Sequence, residues 1–215
     1  MSRWLLDPGH GGTNLGVAYD DNVEKDDNLK IALKVGQILK NYGEDVFFTR
    51  VDDSELSLKE RIAIGNSTEF DYFISFHRNS FSPESNKGVE IFYYKGTPTV
   101  RRFCESLKFE LENIFDYRGT NQAELSLLKK INANGVLIEL GFIDSSSDNQ
   151  IFNNRIDEIS GAICRACLKE VGKVNEDKLI WRVCIGEFEG YEEAEKLMKE
   201  VKNLGYNACV IPLNE

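Results

Sequence analysis

Only two histidines occur in the 215 residues, and each stands where a strand-like run gives way to a turn. His10 lies inside Leu5-Leu-Asp-Pro-Gly-His-Gly-Gly12, and His77 ends Asp71-Tyr-Phe-Ile-Ser-Phe-His77. Gly9, Gly11 and Gly12 lack a Cβ, so the backbone beside His10 can turn sharply and a ligand can come close. Three chemistries suit such a histidine: hydrogen bonding within the turn, a glycine-rich cradle for phosphate, or ligation of a metal. Two histidines at strand ends invite the last, because ligands in open α/β sheets collect beyond the carboxyl ends of the strands. A catalytic zinc site takes three protein ligands and keeps one position for water. The chain has no H-E-x-x-H, so a third ligand has to be a carboxylate from elsewhere. Glu24, between the glycine-rich turn and the first helical pattern, is the candidate; its plainer reading is a solvated acid favouring a helix N-terminus.

A second acid, Glu139, lies within Val136-Leu-Ile-Glu-Leu-Gly-Phe142. A carboxylate flanked by apolar residues in a central strand is costly to bury without a partner or a task. Facing the crevice, it can take a proton from water at the metal and hand it to a leaving amine. Glu90, in Gly88-Val-Glu-Ile91, reads as a strand residue lining the same site.

The elements that must position these residues alternate along the chain. Strand-like runs at Trp4 to Asp7, Asp45 to Thr49, Tyr72 to Phe76, Val89 to Tyr94 and Val136 to Leu140 are separated by helical periodicity or turn residues. Leu29, Leu33, Gly36 and Leu39 mark a helix from about Asp27 to Asn41, and Ser57 to Asn66 a shorter one. Val100, Phe103, Leu107, Leu111 and Ile114 trace a third helix, and Asn149 to Val171 a long fourth. Short continuous apolar strands of this kind predict an α/β fold, a mostly parallel twisted sheet with helices on both faces. Residues 1–172 form this domain, 173–178 read as a polar linker, and 179–215 as a small βαβ unit with strands at Ile180 to Ile185 and Tyr206 to Ile211. Ala194, Leu197, Met198, Val201 and Leu204 supply its helix, and so small a unit has to dock on something.

A formal charge of −10 opposes nucleic acid and anionic lipid as partners, since binding either begins with neutralising phosphate. No apolar stretch approaches a bilayer span, and the N-terminus lacks a signal-peptide pattern. The expectation is synthesis in the cytoplasm without membrane insertion. Cys104, Cys184 and Cys209 sit singly in apolar stretches and are expected to be free thiols; Cys164 and Cys167 share a helical face that buries them.

Six segments together resemble the zinc-dependent N-acetylmuramoyl-L-alanine amidases of the amidase-3 type. They are Asp7-Pro-Gly-His-Gly-Gly12, Glu24-Lys-Asp-Asp-Asn-Leu29, Thr49-Arg50 with Asp53, Ser57-Leu-Lys-Glu-Arg61, Phe76-His-Arg-Asn79 and Ile138-Glu-Leu-Gly-Phe142. The resemblance spans roughly residues 3 to 170 and implies zinc held by His10, Glu24 and His77, with Glu139 as catalytic acid and base. The implied reaction is hydrolysis of the amide between N-acetylmuramic acid and L-alanine in peptidoglycan. Arg78, Asn79 and Glu90 are then expected to contact substrate. Arg78 departs from the family pattern, where a small residue is common, and Asp144-Ser-Ser-Ser replaces an asparagine expected after Gly-Phe. Arg50 and Arg61 are expected to form structural ion pairs.

The C-terminal unit resembles half of a sporulation-related repeat, a peptidoglycan-binding module. In a βαββαβ module a strand from the other half lies between the two strands of each βαβ, so a half-module leaves a slot that a second chain can fill. A homodimer through this unit is the expectation; packing on its own catalytic domain is the alternative. The lack of a secretion signal resembles phage endolysins, which reach the wall once the membrane is permeabilised. A zinc peptidase or carboxypeptidase acting on stem peptides, or a non-catalytic wall-binding protein, are the competing readings.

Overall fold

Five of the six residues of the first strand, RWLLDP, are buried, because both faces of the sheet it enters are covered. The computed structural model describes residues 1–173, 186, 188–205 and 210. Its elements in order are β1 (Arg3–Pro8), β2 (Ala18–Tyr19), β3 (Asn22–Val23), α1 (Glu24–Asn41), β4 (Asp45–Phe48), α2 (Leu58–Gly65), β5 (Tyr72–Asn79) and β6 (Val89–Tyr93). There follow α3 (Pro98–Leu111), β7 (Tyr117–Gln122), α4 (Ser126–Lys130), β8 (Asn134–Phe142), α5 (Ser146–Asn154), α6 (Ile156–Glu170) and α7 (Tyr191–Asn203). The chain divides into two compact units, Met1–Glu176 and Asp177–Glu215.

The first unit is a six-stranded sheet in the order β4-β1-β5-β8-β6-β7. Every pairing is parallel except that of β6 with β8. Successive side chains of a strand point to opposite faces, and the two faces are built differently. Trp4, Leu6, Ile74, Phe76, Ile138 and Leu140 pack under α1, α3 and α6 in the main core, where each fully buried large side chain contributes about 1.5 to 3 kcal/mol. Leu5, Phe73 and Leu137 pack on the other face against Leu127, Leu128 and Ile131. Among the described residues, only the eight-residue α2 and the five-residue α4 stand near this second face, so its carboxyl end is thinly covered by them. The same alternation assigns Asp7, Ser75, His77 and Glu139 to it.

The expected fold class holds, and several boundaries move. Helix α1 begins at Glu24 rather than near Asp27. Ser57 caps α2 in a reciprocal capping box with Glu60, as Ser57-Leu-Lys-Glu60 implies. The helix expected over Asn149 to Val171 is two helices: Arg155 leaves the helical region (φ −121°, ψ 23°), and its guanidinium pairs with Glu158. Strand β7 lay outside the expectation because YRGTNQ at a sheet edge carries almost no apolar signal. Cys104, Cys164 and Cys167 are buried free thiols. Helix α7 spans the expected helical segment of the second unit; the strands expected at Ile180 to Ile185 and Tyr206 to Ile211, with Cys184 and Cys209, lie outside the described residues but for Val210. No helix among the described residues is long and apolar enough to cross a membrane.

Candidate metal centre

His10 follows β1 with a left-handed backbone (φ +59°), a conformation a bulky residue adopts only when its surroundings enforce it. The enforcement comes from two arginines that grip the turn through its carbonyls. Arg61 donates to Pro8 O at 2.7 Å and His10 O at 2.6 Å and pairs with the Asp7 carboxylate at 2.6 Å. Arg50 donates to Pro8 O at 3.0 Å and Gly9 O at 2.9 Å. The expected ion pair therefore exists for Arg61, whereas Arg50 works mainly on backbone oxygens. Asp7 is fully buried and also accepts from Thr49 Oγ1 and Ser75 Oγ, so its charge is satisfied on every side.

His10 Nδ1 donates to Asn14 Oδ1 at 2.9 Å, which leaves Nε2 facing Glu24 Oε1 at 3.1 Å. His77 Nδ1 lies 2.9 Å from the same oxygen. Glu24 is almost fully buried at the first turn of α1, and its Oε2 accepts from Val17 N. Burial alone would raise its carboxyl, but the hydrogen bonds and charges of His10 and His77 outweigh that and hold it well below the usual carboxylate range. Burial likewise opposes a charged His77, yet the Glu24 hydrogen bond and the charges of Glu139, Glu24 and Asp7 raise its pKa.

One ligand atom from each of His10, Glu24 and His77 lies within 4.8 Å of the other two, the one such metal-competent group among the described residues. Two glycines leave the room this requires. A Cβ on Gly9 would stand 2.3 Å from His77 Cε1, and one on Gly16 (φ +69°) would stand 2.4 Å from Glu24 Oε2. Two imidazoles and a carboxylate are the donor set of a divalent zinc-class ion, and the residues present fit such an ion.

Glu139 joins this group through the sheet. It is the register partner of His77 in the β5–β8 ladder and of Glu90 in the β8–β6 ladder. Its Oε2 is shielded from solvent and has no hydrogen-bond partner. Burial, reinforced by the charges of Glu24 and Glu90 and opposed by His77 and His10, pushes its carboxyl up to about 7. Glu90 accepts from Asn79 Nδ2 at 2.6 Å and faces Arg118 Nε at 3.7 Å, so Asn79 and Glu90 stand together beside Glu139.

Arg78 does not join them. It follows His77 by one residue, so its side chain points to the opposite face of the sheet. There it is fully buried, paired with Asp27 at 2.5 Å, donating to Asn149 Oδ1 at 2.7 Å and lying 4.4 Å from the Phe152 ring centroid. The expected substrate contact is a structural ion pair. Sequence reasoning also passed over Asn14, which orients His10, and Asp7, which anchors Arg61; for Asn14 the signal available was an amide four residues beyond a turn histidine.

Residues 5–169 match the Amidase_3 family, described as N-acetylmuramoyl-L-alanine amidase, and residues 168–212 match the SPOR domain. The N-acetylmuramoyl-L-alanine amidase CwlM of Bacillus licheniformis is 26% identical over 98% of this chain and 85% of its own length. The probable cell wall amidase LytH of Staphylococcus epidermidis is 28% identical over 71% of this chain, which spans about half (52%) of LytH. The solved CwlD amidase of Clostridioides difficile superimposes with a TM-score of 0.75 at 27% identity, over 80% of this chain and 99% of that one. The chain belongs to the Amidase_3 family of N-acetylmuramoyl-L-alanine amidases, hydrolases of the amide that joins peptidoglycan muramic acid to its stem peptide.

Proposed function

We propose that this amidase is zinc-dependent, with His10, Glu24 and His77 holding the ion and Glu139 moving the proton. The observation that carries the reading is the unpartnered Glu139 Oε2, one strand away from His77. A zinc ion held by the three ligands supplies Lewis acidity to the scissile carbonyl and to the attacking water. Glu139 accepts the water's proton at Oε2 and then delivers it to the amide nitrogen. The C–N bond breaks, leaving a lactyl carboxylate on the glycan and a free alanine amine on the peptide. Asn79 and Glu90 line the substrate side of this acid. Mass spectrometry of products from purified walls, with and without chelator, tests bond and metal together. A new N-terminal alanine that disappears with chelator is expected; a new end inside the stem peptide would indicate a peptidase, and no product a wall-binding protein.

We further propose that the C-terminal unit binds the wall and pairs two chains. Its support is the SPOR match and helix α7, whose Ala194, Leu197, Met198 and Val201 form an apolar row while none of its residues is buried. Sedimentation equilibrium of the full chain at micromolar concentration should return a dimer; a monomer overturns the pairing.

A further inference from the structure

Between the His10 turn and Glu24 the chain runs through an irregular loop, Gly11 to Val17, whose hydrogen bonds reach both candidate ligands. Gly11 and Asn14 exchange backbone bonds, Gly11 N to Asn14 O at 2.9 Å and Asn14 N to Gly11 O at 3.1 Å, which folds the loop back toward His10. Further on, Val17 N donates to Glu24 Oε2 at 2.9 Å, and Glu24 N returns a bond to Val17 O at 2.9 Å. Asn14 sits where the two halves of the loop meet. Its Oδ1 lies 2.9 Å from His10 Nδ1 and 3.2 Å from Gly16 N.

A backbone amide can only donate, so the Asn14 atom that Gly16 N reaches is an oxygen, and His10 Nδ1 beside it has to carry a proton. The lone pair of the imidazole is thereby on Nε2, which faces Glu24 Oε1 at 3.1 Å. Two acceptors that close are reconciled by a cation between them. His77 is turned the other way round: its Nδ1 is 2.9 Å from the same carboxylate oxygen, while Cε1 and Nε2 lie against Gly9. We propose that Asn14 is a positioning residue that fixes the tautomer of His10, so that the ion is held by Nε2 of His10 and Nδ1 of His77; the inference rests on the zinc reading. An amide does this without placing a second negative charge beside the buried Glu24, and it ties the His10 ring to the loop that holds Glu24.

The test uses the full chain, labelled with nitrogen-15 and loaded with zinc. NMR of the imidazole nitrogens should show the proton of His10 on Nδ1 and that of His77 on Nε2. Zinc affinity, read by competition with a chromogenic chelator, should fall about 10- to 100-fold in Asn14→Leu and return to within about threefold of wild type in Asn14→Asp, which restores the acceptor. A proton on His10 Nε2, an affinity unchanged in Asn14→Leu, or Asn14→Asp binding as weakly as Asn14→Leu overturns the inference. The nitrogen assignment of the wild type needs no variant, so it decides even where Asn14→Leu does not fold. Failure of the wild-type chain to bind zinc removes the metal reading, and this inference with it.

Discussion

His77 and Glu139 stand opposite one another in the parallel ladder of β5 and β8, on the one sheet face whose carboxyl end is thinly covered. The pairing sets a candidate ligand beside a carboxyl whose Oε2 has no partner, and it dictates what a single substitution does. Glu139→Gln keeps the shape and removes the proton carrier. It should retain one bound zinc per chain while kcat falls by about 10² to 10⁴. Wall digestion at the wild-type rate by a folded, zinc-loaded variant would falsify the role given to Glu139.

The same carboxyl makes the metal-free protein sensitive to pH. Its value rises on folding from 4.5 to about 7, so the native state binds a proton more tightly than the unfolded chain does. Stability therefore falls as pH rises from about 4.5 to about 7 and stays lowered above it, by up to about 3 kcal/mol. Glu139→Gln lacks this loss. Urea denaturation of the two metal-free proteins should show the variant more stable at pH 8 and the two alike at pH 4; equal stability at pH 8 contradicts the assignment. Glu24 acts in the opposite sense, stabilising above its unfolded pKa and less so in acid, but it is common to both proteins.

Gly16→Ala places a methyl against the Glu24 carboxylate at a left-handed backbone position. Far-UV circular dichroism should change little, because the loop lies outside the core, while zinc affinity measured by competition with a chromogenic chelator drops by about 10- to 100-fold. Unchanged affinity would remove Glu24 from the ligand set.

Arg78→Ala should lower stability by about 3 to 5 kcal/mol, since it leaves Asp27 buried without its partner. Arg78→Met, which fills the volume beside Phe152, should lose measurably less if paired with Asp27→Leu. Folded Arg78→Met should keep its KM for muramoyl substrates. A selective rise in KM would restore Arg78 as a substrate contact.

The sequence alone determined the layered α/β architecture and singled out the candidate chemistry-bearing residues, because both are written in local pattern. Continuous apolar runs such as Tyr72 to Phe76 specify strands covered on both faces, and a histidine at a strand end followed by turn residues advertises an exposed edge. The candidates for that chemistry, His10, Glu24, His77 and Glu139, were legible for that reason, and the fold brings the first three within ligand distance of one another with Glu139 in register beside His77. Tertiary structure decided what depends on facing direction and on distant neighbours. The pleat sends Arg78 under the sheet while His77 stays above it, one residue apart and in different environments. The helix expected from Asn149 to Val171 breaks at Arg155, which no periodicity announces. Asn14 and Asp7 acquire meaning only once separate segments converge on one end of the sheet, since short-range pattern carries no information about which segments meet.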